Sequence, residues 1–211
     1  MTPFAGIPDA AFEFYAELEN NNNRDWWLEH KARYDSAVKE PLAALLATLE
    51  TDFGEAKIFR PNRDIRFSLD KSPYKTAQGA FASLAGGTGF YLQVSADGLL
   101  VGGGCHTHTP EQLARFRSAV DAPSSGELLQ QIVGQLEALG FTVEGETLKT
   151  VPRGFNKAHP RAELLKHKSL TAGVNVGKPG WLSTPDAAAE VRRRWEQLRP
   201  LVEWVGRYAP S

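Results

Sequence analysis

The chain has 211 residues, 42% of them hydrophobic and 23% charged, with a formal net charge of −1. Those values belong to a soluble globular protein of ordinary single-domain size, and they exclude polyanion binding by bulk charge alone. Its single cysteine, Cys105, excludes an intrachain disulfide and suits a reducing compartment. The first ten residues, MTPFAGIPDA, hold no basic start and no apolar run, so no signal peptide is expected. The longest uncharged run, 76–96, is too rich in Gly, Ser, Thr and Gln to span a membrane. The expectation is a cytoplasmic protein with no membrane partner.

Pro8-Asp9 opens a helical pattern through Phe12, Tyr15 and Leu18, which Asn20 to Asn23 interrupt. In the following run Trp27, Lys31, Tyr34 and Val38 share a helical face, and Pro41 is expected to kink or restart the helix. From about Ala56 the period changes. In RDIRFSL, Ile65, Phe67 and Leu69 alternate with Asp64, Arg66 and Ser68, which predicts a half-buried strand. Three more strands are predicted at 80–84, 90–94 and 99–103, joined by Gly86-Gly-Thr-Gly89 and Ala96-Asp-Gly98 as turns. Thr109-Pro110 opens a helix, and Ser124 or Ser125 is expected to cap the next one. A small hairpin around Glu144-Gly145, a short helix from His159-Pro160 and a long helix over 185–208 complete the chain. Strands in one block with helices at both ends predict a single α+β domain over 1–211, its antiparallel meander of four or five strands flanked by N- and C-terminal helices.

Charge is unevenly placed. RDIRFSLDKSPYKT (63–76) has four cations against two anions, a net +2. The segment 149–168 sets Lys149, Arg153, Lys157, Arg161, Lys166 and Lys168 against Glu163, a net +5, so the remainder of the chain carries −8. Arginine offers a planar fork and lysine a point charge, both suited to phosphate or carboxylate. An internal ion-pair network accounts for the same residues without a ligand.

The runs NNNRDWW…K..Y, RDIRFSLDKSPYKT, the triplet Gly102-Gly103-Gly104 and VPRGF…HPRAELLKHKSL resemble, in this order and spacing, a bacterial and fungal family. That family is catalogued as domain of unknown function 2461, a conserved hypothetical protein. The resemblance covers about 9–208. It implies one intact domain and supplies no activity or substrate.

The leading expectation is a pocket for a small anionic ligand, built from Lys31, Arg63, Arg66, Lys71, Lys75 and Arg153, with Ser68 and Tyr74 adding hydrogen bonds. If the site is catalytic, Asp64 or Asp70 is the general base and phosphoester chemistry fits the inventory. A nucleic-acid-binding module using 149–168 and Trp26 is one alternative, and a non-catalytic scaffold with paired charges is another. Cys105, His106 and His108 are too few for a metal site without a partner motif, so no metal and no cofactor is expected.

Overall fold

The computed structural model describes residues 3–66, 69–84 and 87–210. The fold is α+β: a six-stranded antiparallel sheet in the order β1-β2-β3-β4-β6-β5, with helices before and after its strands in the chain. Among the described residues, no helix is long and apolar enough to cross a membrane. The chain forms two compact units: Met1–Ala82 with Tyr91–Val101 and Asn175–Arg193, and Ser83–Phe90 with Gly102–Val174 and Arg194–Ser211.

In the first unit, α1 (Asp9–Asn20) buries Ala11, Phe12, Phe14, Tyr15 and Leu18, the three-and-four spacing of one helical face. Helix α2 (Arg24–Tyr34) is capped by Asn23, whose side chain accepts from the Trp26 amide at 3.0 Å. It runs without a break through a π-helical turn, Asp35–Lys39, into α3 (Glu40–Phe53). Pro41, expected to kink or restart the helix, stands in the first turn of α3, directly after the π turn. In a regular helix its ring would crowd the Ala37 carbonyl four residues back, and the wider π turn just before it relieves that clash. Helix α3 buries Leu42, Leu45, Leu46, Leu49 and Phe53. Strand β1 (Ala56–Ile58) pairs antiparallel with β2 (Ala77–Ser83), with Lys57 opposite Phe81.

Among the described residues of RDIRFSL (63–66 and 69), the predicted half-buried strand does not form. Residues 59–66 and 69–76 make the described parts of an arm extending the β1–β2 pair. Its rungs are Lys75 N–H to Pro61 O (2.8 Å) and Arg63 N–H to Pro73 O (2.9 Å), which together make the Asn62–Tyr74 bridge. Pro61 and Pro73 supply no donors, and beyond Arg63 no neighbouring strand takes up the backbone. Leu69, expected inside, is fully exposed at 102%. Phe67 and Ser68 lie outside the described residues.

Strands β3 (Thr88–Ser95) and β4 (Gly98–Cys105) form where alternation and turn residues place them. Gly98 has φ +114°, and a Cβ there would lie 2.0 Å from the Gly177 carbonyl oxygen, so the turn admits only glycine.

The second unit holds α4 (Pro110–Asp121), α5 (Pro123–Ala138), β5 (Thr142–Glu144), α6 (Ala162–Lys166) and β6 (Leu170–Asn175). Thr109 and Gln112 close a capping box on α4. The predicted Ser124 or Ser125 cap on α5 is replaced by Pro123 in the first turn, and the Ser125 hydroxyl donates to Ala119 O at 2.6 Å instead. The expected hairpin around Glu144-Gly145 is also revised. β5 pairs with β6, Val143 opposite Ala172, and that pairing gives the sheet more strands than the four or five expected. The glycine triplet lets β4 be approached closely: a Cβ on Gly104 would lie 2.3 Å from Leu170 O, and one on Gly103 3.0 Å from Val202 of α7 (Asp186–Tyr208). Phe90 meets Trp195 at 5.3 Å, and Trp204 donates its indole N–H to Ser125 O at 2.9 Å.

Candidate functional site: a cation-lined cleft

A cleft of about 730 Å³ opens in the first unit. One wall is helical: Trp27, Lys31, Tyr34, Asp35 and Lys39 from α2 and the π turn. The other is extended: Lys57, Ile58, Phe59, Arg60, Pro61 and Asn62 from β1 and the outgoing arm, with Lys75 from the returning arm. The π turn matters to the first wall. At 3.6 residues per turn, each step of four drifts about 40° around the axis. The wider turn, closed by Glu40 N–H to Asp35 O, reduces that drift and keeps Lys39 on the side of Lys31 and Asp35.

Gln78 ties the walls together from beneath. It is 1% exposed. Its Oε1 accepts from the Tyr34 hydroxyl at 2.5 Å, and its Nε2 donates to Phe59 O at 2.7 Å and Gly79 O at 2.9 Å. Trp27 stacks on Tyr74 with centroids 4.1 Å apart and planes 11° from parallel. Asn22 clasps the Tyr74 backbone, donating to its carbonyl at 2.9 Å and accepting from its amide at 3.1 Å. The Asn run therefore does two jobs, Asn22 anchoring the arm and Asn23 capping α2.

Five cations line the cleft against one carboxylate. Lys31 pairs with Asp35, four residues on. Lys75 donates to Arg60 O at 3.1 Å and lies 5.6 Å from the Phe59 ring centroid. Lys39 and Lys57 form no ion pair among the described residues, and Arg60 forms none but acts on Asp64 at longer range. Asp35 Oδ1 is buried without a hydrogen-bond partner. Burial, with the Asp35 charge adding to it, pushes the Tyr34 phenol up to about 12, so it stays neutral and donates to Gln78.

The family described as "Conserved hypothetical protein (DUF2461)" matches residues 10–204. The chain belongs to that family. No curated protein and no solved structure matches it. The matched stretch of this DUF2461 chain includes every residue lining the cleft.

Of the residues singled out in the sequence, Lys31 and Lys75 line the cleft. Tyr74 lies one layer behind it, 7% exposed against Trp27. The others are elsewhere. Arg63 pairs with Asp70, and Arg66 Nη2 holds Asp64 at 2.6 Å, both on the exposed arm. Lys71 donates to Ile65 O at 3.0 Å. Ser68 is outside the described residues, and Arg153 is exposed in a turn of the second unit. The Ser72 hydroxyl and amide, then Arg63, hold Asp70 down to about 2, and hydrogen bonds from Arg66 lower Asp64. Carboxylates held that low are weak proton acceptors, and neither lines the cleft.

Four charged lining residues escaped sequence reading: Asp35, Lys39, Lys57 and Arg60. The Lys31-Asp35-Lys39 spacing of four was the legible signal for the first two. Lys57 and Arg60 in AKIFRPN look like ordinary flanking charges, and nothing local sets them apart.

The basic 149–168 segment is partly consumed by structure. Arg161 is 7% exposed and donates to Val120 O (2.7 Å) and Asp121 O (2.9 Å), satisfying carbonyls at the end of α4. Lys166 pairs with Glu163 at 2.6 Å, and Lys168 with Glu146. Cys105 is buried, its thiol pushed up by burial, and donates to Thr107 O at 3.2 Å. His108 Nδ1 faces Lys168 O at 2.8 Å, which requires the proton on that nitrogen. Among the described residues, no group of three or more His, Cys, Asp or Glu side chains is placed to hold a metal.

Proposed function

We propose that this DUF2461 protein binds a small anionic ligand, phosphate- or carboxylate-bearing, in the cleft between α2 and β1. The observation that carries the reading is charge: Lys31, Lys39, Lys57, Arg60 and Lys75 surround one concavity in which Asp35 is the sole carboxylate among the described residues. Like charges gathered around a concave surface repel one another, and a bound anion removes that cost while the cleft focuses the field on it. Arg60 supplies a fork and the lysines supply point charges. The cations of the exposed arm are matched by Asp64 and Asp70 and add little to this field. If the bound ligand is also turned over, Asp35 is the carboxylate in reach of it.

The test is thermal unfolding at fixed ionic strength with phosphate, sulfate, citrate and nucleotides. A ligand at a hundred times its Kd stabilises by about 2.7 kcal/mol, which is about 5–10 °C for a chain of this size. The shift is expected in the wild type and is expected to vanish in the Lys57→Ala/Arg60→Ala double variant. No shift with any anion overturns the reading. The nucleic-acid alternative draws on Lys149, Arg153 and Lys157, which are exposed. It predicts a log–log salt slope of about −0.7 to −0.9 for each phosphate contacted.

A further inference from the structure

We infer that the cleft's ligand is a nucleoside diphosphate rather than a bare inorganic or carboxylate anion. This rests on the anion-binding reading above and narrows it. Volume is the first ground. A phosphate ion has five heavy atoms, and at no more than about 30 Å³ each, the volume of a liquid water, it fills about a fifth of the space. The cleft's 730 Å³ falls in the range of sites that enclose whole organic ligands.

The second ground is the lining. Ile58, Phe59 and Pro61 form an apolar stretch on the extended wall, opposite Trp27. An inorganic ion gains nothing from that surface. A planar heterocycle does, because every base has a face that stacks on an aromatic ring. Phe59 is the half-buried ring on this wall; Lys75 lies 5.6 Å from its centroid, and a stacking base takes the place of that ammonium.

The third ground is the number and order of charges. Lys39, Lys57 and Arg60 make no close ion pair among the described residues, Arg60 acting on Asp64 only at longer range, and a nucleoside diphosphate carries about −3 at pH 7, its terminal phosphate having a second pKa near 6. Lys57 and Arg60 flank Ile58 and Phe59 in one extended segment of about 10 Å, so the phosphate and ring subsites adjoin. Asp35, the one carboxylate, retains acceptor capacity beyond its bond to Lys31 and suits the hydroxyls of a sugar between the two subsites.

The experiment is isothermal titration of the full chain at fixed ionic strength with adenosine diphosphate, uridine diphosphate, pyrophosphate, adenosine and a short single-stranded oligonucleotide. Nucleoside diphosphates are expected to bind about ten-fold more tightly than pyrophosphate, the value of one stacked ring. Adenosine alone is expected to give no heat. Phe59→Leu, which keeps the apolar bulk, is expected to bring the nucleotide affinity down to that of pyrophosphate and leave pyrophosphate unchanged. Arg60→Ala is expected to weaken both. Pyrophosphate binding as tightly as the nucleotides overturns this inference and leaves the anion-binding reading intact. No binding by any phosphate overturns both. An oligonucleotide that outbinds the diphosphates with a steep salt slope also overturns the inference.

Discussion

Replacing Gln78 with Met tests whether the two walls of the cleft are held by one buried side chain. The substitution keeps length and volume and removes both polar atoms. The Tyr34 hydroxyl and the Phe59 carbonyl lose the partners they have at 2.5 and 2.7 Å, in a site that is 1% exposed. The Gly79 carbonyl keeps the Phe59 amide at 2.9 Å. Each buried group left without a partner costs about 1–3 kcal/mol, so the loss for the two is about 2–6 kcal/mol. For a chain of this size that is a fall in Tm of about 5–15 °C. Tyr34→Phe removes the other end of the same bond. The double variant is therefore expected to be less destabilised than the two single losses combined, by about 1–2 kcal/mol. Differential scanning calorimetry of the four proteins reads both quantities. A Gln78→Met protein that melts within a degree of wild type, or strict additivity in the cycle, refutes the account of Gln78 as the tie.

Two further outcomes follow from the same geometry. Arg66→Ala removes an exposed, solvent-screened pair with Asp64, so its melting temperature is expected to stay close to that of the wild type and its anion affinity to be unchanged. A large loss of ligand-induced Tm shift in that variant would return the site to the arm. The Tyr34 phenol has a folded pKa raised from 10 to about 12, chiefly by burial. A raised pKa stabilises the fold fully below pH 10, and that contribution disappears as pH rises from about 10 to about 12. Denaturant midpoints measured across that window are expected to fall, and to fall less in Tyr34→Phe. Equal slopes in the two proteins would show that Tyr34 is not the group responsible.

Much of the fold was set by local pattern. The three-and-four spacing of Phe12, Tyr15 and Leu18, the Thr109-Pro110 start of α4 and the turn glycine Gly98 each act within a few residues, so they could be read directly. The RDIRFSL segment was misread for the complementary reason. Alternation describes a strand's faces, but a strand also needs neighbours for its backbone, and Pro61 and Pro73 leave the described residues of the arm with two amide–carbonyl rungs, which form a single bridge. The β5–β6 pairing likewise joins residues about thirty apart in the chain, a match that no local signal specifies.

The site divides the same way. Sequence alone determined that cations outnumber anions in two segments, and that Lys31 shares a helical face with Trp27 and Tyr34. It also drew attention to the densest charge cluster, whose arginines the fold pairs with their own neighbouring aspartates. Tertiary structure decided which cations remain without partners. Lys39 reaches the cleft because a π turn corrects the helix's phase. Lys57 and Arg60 reach it because Gln78 fastens their strand beside Tyr34. Whether a charge is neutralised or left for a ligand depends on what the fold brings within a few ångströms of it, and that distance is not written in the spacing of residues along the chain.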